Sequence, residues 1–278
     1  MVVIVTTTYG EECQFVIDSA SQLDSLGHLC QKWYNLEAME LHTYNTEKAM
    51  LALGPFLERL LKSQRRGGGA SLRQLKVLLG DHHMISESIR WRMRALLRIA
   101  SVDTLTSDWN VDSLLELNYT ALRHLSLPDI FLRDDYDTWK VTASALAPTL
   151  ETLHMCSFMT TGENRRSNTS GVMYALRRLT VGWLKCQSHE NLHLLDEMVE
   201  WAPNLRELLV GTLEVYGQLL RPHRNVSYRN FVSCCGFLER MRIERAHLVS
   251  QPDSVLDLLV LDLRTRADIQ EAFPEIRP

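Results

Sequence analysis

Long apolar runs are missing from this chain: no stretch approaches the roughly 18 uninterrupted apolar residues that a membrane-spanning helix needs. The opening MVVIVTTTYG also lacks the basic start, apolar h-region and small-residue cleavage site of a secretory signal. No CxxC spacing occurs. The six cysteines, Cys13, Cys30, Cys156, Cys186, Cys234 and Cys235, are sparse for 278 residues and read as reduced, mostly buried thiols of an intracellular protein. The N-x-S/T sequons at Asn118, Asn168 and Asn225 are therefore read as chance.

Charge of one sign is lacking too. A net charge of −4 exerts no general pull on nucleic acid or an anionic membrane, and no local basic run compensates, so neither partner is expected. No Pro/Ser tract or charged block divides the chain; only RRGGGAS, residues 65 to 71, reads as a flexible insertion within a single domain spanning 1 to 278. Its glycines lack the lysine and hydroxyl that complete a phosphate-binding loop. G-x-S-x-G is absent, and no cysteine sits in a catalytic context.

What is present is an ordinary globular composition, 45% hydrophobic and 23% charged, arranged with a recurring spacing. Apolar residues three and then two apart occur at Leu36, Met39 and Leu41, at Leu72, Leu75 and Val77, and at Leu122, Leu125 and Leu127. They return at Leu150, Leu153 and Met155, at Leu176, Leu179 and Val181, at Leu205, Leu208 and Val210, and at Leu238, Met241 and Ile243. Two poorer copies, Val102 with Leu105 and a final LDLLVLDL starting at Leu256 or Leu258, bring the total to about eight or nine irregular repeats.

The last two apolar positions of each copy point to one side of a short strand, and the first enters the core from the preceding turn. One copy cannot bury them alone, so copies must stack into a parallel sheet with return segments behind it. Between copies the period becomes helical: Met50, Leu53, Leu57 and Leu60 form one stripe, as do Ile89, Met93, Leu96 and Ile99. Asp137 or Thr138 is placed to cap a helix carrying Trp139 to Leu146, with Pro148 in the turn that follows. The fold class expected is α/β, a leucine-rich repeat solenoid with a curved parallel sheet and mostly helical returns. Trp91, Trp109, Trp139, Trp183 and Trp201 are expected to anchor helices or turns in the core.

LAPTLETLHM, WAPNLRELLV and QKWYNLEAMEL carry a resemblance to leucine-rich repeat proteins of the ribonuclease-inhibitor-like type, in the irregular form common in fungal F-box/LRR proteins. It covers roughly residues 20 to 265. The resemblance implies a non-enzymatic protein-binding scaffold without cofactor, cytoplasmic or nuclear, whose partner is a Skp-type adaptor or a ubiquitination substrate. No intact F-box is present; LGHLCQKWYNL, residues 26 to 36, looks a little like its last helix but reads better as a repeat helix. The β-branched MVVIVTTT begins the sheet about one repeat before Leu36. That leaves little room for a polar cap, which points to a truncated gene product or to another element covering the edge.

Strand positions that alternate with the core residues should line the concave face, and there a partner is expected to bind. They are Ala38 and Glu40, Gln74 and Lys76, His124 and Ser126, Thr152 and His154, Arg178 and Thr180, Glu207 and Leu209, and Arg240 and Arg242. The partner-binding set is drawn from Lys76, His124, Ser126, Thr152, His154, Arg178, Thr180, Glu207, Arg240 and Arg242. Arg178, Arg240 and Arg242 form a basic patch suited to an acidic or phosphorylated partner, and CSFMTTGENRRSNTSG, residues 156 to 171, is a long polar loop that extends it. The alternative is a zinc-dependent hydrolase using His189, Glu190 and His193, an H-E-x-x-H spacing that sets two imidazoles on one helix face. That face lies roughly 130° from the stripe of Leu192, Leu195, Val199 and Ala202, toward solvent. Asp81, His82 and His83 read as an exposed loop.

Overall fold

A computed structural model of the chain describes residues 2–7, 11–17, 19–30, 36–42, 47–66, 72–78, 89, 91–93, 95–96, 102–108, 122–132, 148–160, 172–187, 202–216, 238–248, 261–264 and 267–268. The fold is α/β with a mostly parallel sheet, and the chain divides into two compact units, Met1–Pro128 and Asp129–Pro278.

In the first unit the strands β1 (Val2–Thr7), β2 (Glu12–Val16), β3 (Leu36–His42), β4 (Gln74–Leu78), β5 (Thr104–Ser107) and β6 (His124–Leu132) lie in the order β2-β1-β3-β4-β5-β6. The pairs β3 to β6 are parallel, with Met39, Leu75, Leu105 and Leu125 side by side as one rung. All four are buried. A second rung runs through Leu41, Val77 and Ser107, so the copy at Val102 looks poor because a buried serine stands where its neighbours carry an aliphatic residue.

Two helices accompany these strands, α1 (Ala20–Cys30) and α2 (Glu47–Arg66). Ser19 starts α1 as a capping box: the Gln22 backbone N–H donates to Ser19 Oγ at 3.3 Å, and the Ser19 N–H donates to Gln22 Oε1 at 3.2 Å. Leu23 and Leu26 then face inward. Along α2, Leu53, Phe56, Leu57 and Leu60 are fully buried, which covers three residues of the expected stripe and adds Phe56, the burial of Met50 lying outside what is described. Pro55 sits inside this helix, and the preceding Gly54 has no Cβ for the proline ring to crowd. Ile89, Met93 and Leu96 are helical and buried, also as the spacing predicts.

The first strand departs from expectation. β1 runs antiparallel to β3 and is itself flanked by β2, also antiparallel, so the sheet ends in a hairpin instead of a repeat strand. β2 was not legible as a strand because Glu12, Cys13 and Gln14 are exposed and its two large apolar residues, Phe15 and Val16, are adjacent and do not alternate. That is how an edge strand avoids unwanted pairing.

In the second unit β7 (Thr152–Thr160), β8 (Arg178–Gln187), β9 (Glu207–Tyr216), β10 (Arg240–Leu248) and β11 (Leu261–Leu263) follow in sequence order. The first four are parallel, and Leu153, Leu179, Leu208 and Met241 form one rung while Met155, Val181, Val210 and Ile243 form the next. Each is buried, worth roughly 1.5–3 kcal/mol apiece. β11 runs antiparallel to β10. The last copy, expected to start at Leu256 or Leu258, therefore reverses direction at Leu261, and both proposed starts lie outside the described residues.

Tight turns launch these strands. The Leu205 N–H donates to the Ala202 carbonyl at 3.1 Å across Pro203-Asn204, and the Leu176 N–H to the Met173 carbonyl at 3.2 Å. Asn204 Nδ2 then donates to the Tyr174 carbonyl, and Arg177 Nη1 to the Asn204 carbonyl, so each turn is tied to its neighbour. Hydrogen bonding starts one residue before each strand: Arg177 N–H to Glu151 O, Arg206 N–H to Arg177 O and Glu239 N–H to Arg206 O, at 2.7–2.8 Å.

The strands here are longer than the repeat spacing implies, and Cys156 to Thr160, expected in a loop, belongs to β7. Beyond the second rung the pairing skips Cys156, Gly182, Gly211 and Glu244, then resumes with Ser157, Trp183, Thr212 and Arg245 in register. The register is the same on both sides of this level, and in β8 the alternation changes there, Val181 and Leu184 being buried while Gly182 and Trp183 between them are exposed; in β7 Ser157 is buried like Leu153 and Met155. Glycine is required by close approach. A Cβ on Gly182 would lie 2.7 Å from the Cys156 carbonyl oxygen, and one on Gly211 2.6 Å from the Gly182 carbonyl oxygen.

Two outcomes test this architecture. Leu208→Ala should lower unfolding free energy by about 2–5 kcal/mol through lost burial and a residual cavity, read by denaturant titration. Gly211→Ala adds one methyl to a half-buried strand position, and should destabilise by about 1–3 kcal/mol because backbone must move; an unchanged melting temperature would remove the close-approach argument.

Candidate functional site

Residues between the rungs stand in rows on the other side of each sheet. In the first unit one row is Ala38, Gln74, Thr104 and His124, and the next is Glu40, Lys76, Thr106 and Ser126. Thr104 and Thr106 complete both rows and were missed, since the serine at 107 hid their copy. In the second unit the rows are Thr152, Arg178, Glu207 and Arg240, then His154, Thr180, Leu209 and Arg242. None of these residues is buried. Parallel pairing brings them together because equal spacing in each copy places equal positions opposite one another.

Charge in these rows is largely compensated within the protein. Glu40 Oε2 receives Lys76 Nζ and His42 Nε2, each at 3.0 Å. Burial opposes ionisation of this carboxyl, but hydrogen bonds and charge from His42 and Lys76 outweigh it and hold its pKa below the ordinary value. Arg178 Nε donates to Glu207 Oε2 at 2.6 Å, and Arg242 Nη2 lies 3.2 Å from Glu244 Oε1. Two of the three arginines read as a basic patch are thus paired with glutamates, Arg178 with Glu207 across 29 positions of chain and Arg242 with its near neighbour Glu244. Desolvation pushes the His154 pKa below its ordinary value, so it is neutral at neutral pH.

Among the described residues no cluster of three or more His, Cys, Asp and Glu could hold a metal ion. His189, Glu190 and His193 lie outside the described residues, as do Asp81, His82 and His83, residues 161 to 171, the helix from Trp139 to Leu146, and most of the 65 to 71 insertion. Nor is any helix among the described residues long and apolar enough to cross a membrane. Cys13 is exposed and Cys156 half-buried, both free thiols. Trp91 and Trp183 are likewise exposed at their positions, 61% and 39%, instead of anchoring a core.

The titrations have a definite sign. Both Glu40 and His154 carry folded-state pKa values below their unfolded ones, so the unfolded chain binds more protons between the two values and stability falls with falling pH. For His154 the loss starts at the ordinary histidine value and is complete below the depressed one; for Glu40 it occupies the carboxylate range. Denaturant unfolding across pH should show the upper step vanish in His154→Gln and the lower step shrink in Glu40→Gln. No protein-family model matches the chain, and a search of curated proteins finds no match.

Proposed function

We propose that this chain is a leucine-rich repeat solenoid acting as a non-enzymatic scaffold that binds another protein, related to F-box/LRR substrate receptors and working in the cytoplasm or nucleus. The observation that carries the reading is the registered rows: Thr152, Arg178, Glu207 and Arg240 abreast, with His154, Thr180, Leu209 and Arg242 beside them. Side chains held on a hydrogen-bonded backbone ladder lose little freedom when a partner docks, so most of the contact energy survives as affinity. Short hydroxyls and a leucine among charged groups suit a mixed polar and apolar protein surface better than a small-molecule cleft. The partner proposed is a Skp-type adaptor or a ubiquitination substrate.

Affinity purification from the native cell, with Thr152→Lys/Thr180→Lys alongside the parent, tests this. A partner enriched about tenfold with the parent and lost with the variant, at equal melting temperature, is the expected outcome. A Skp-type adaptor or cullin in the eluate supports ligase membership. Absence of any reproducible partner, or a partner indifferent to the substitution, ends the reading.

A further inference from the structure

We draw no further inference here: the strongest candidate, the half-buried polar surface patch on the outward side of the first unit's sheet around Glu40, Lys76, Thr106 and Ser126, already spends Lys76 and His42 on Glu40, and nothing in the structure shows what covers it.

Discussion

A leucine at the end of a turn and two more apolar residues on the following strand have nothing to pack against within their own copy. Everything else in the structure depends on this deficit. Leu153 finds cover only because Leu179 stands beside it, and Leu179 because Leu208 does. The same holds for Met39, Leu75, Leu105 and Leu125 in the first unit. Parallel pairing is the arrangement in which identical spacings coincide without slippage, since a shift of one residue would turn every rung outward. Rows of outward side chains are the necessary by-product.

Those rows are a surface built from repetition, and its electrostatics come from which copies are adjacent. Glu207 stands between Arg178 and Arg240 because three strands bring them abreast, and Glu40 meets Lys76 of the neighbouring strand while His42 reaches it from two residues along its own. Internal pairing of this kind orders long side chains and lowers the net field that a partner meets. Past the second rung the strands continue in the same register, and there Trp183 and Arg245 are exposed.

Periodicity made the rungs, the α2 stripe and most outward positions legible, because burial leaves a mark on every copy. Three kinds of feature left none. β2 is mostly exposed and its apolar residues, Phe15 and Val16, are neighbours, so it has no apolar alternation to read. Ser107 occupies a core position with a residue that resembles a loop. The close strand approach at Gly182 and Gly211 is written only as two glycines in equivalent places, and its meaning rests on carbonyl oxygens of the preceding strand.

By itself the sequence determined which residues form the apolar rungs of the repeat strands, since three-then-two spacing admits one inward side and burial energy selects it. Only tertiary structure decided the direction of the terminal strands and the pairing of charges. Hairpin β1-β2 and strand β11 reverse because chain path and edge protection govern there, with no apolar code for orientation. Arg178 meets Glu207 across 29 positions of chain, a distance that local pattern cannot span and that strand adjacency closes.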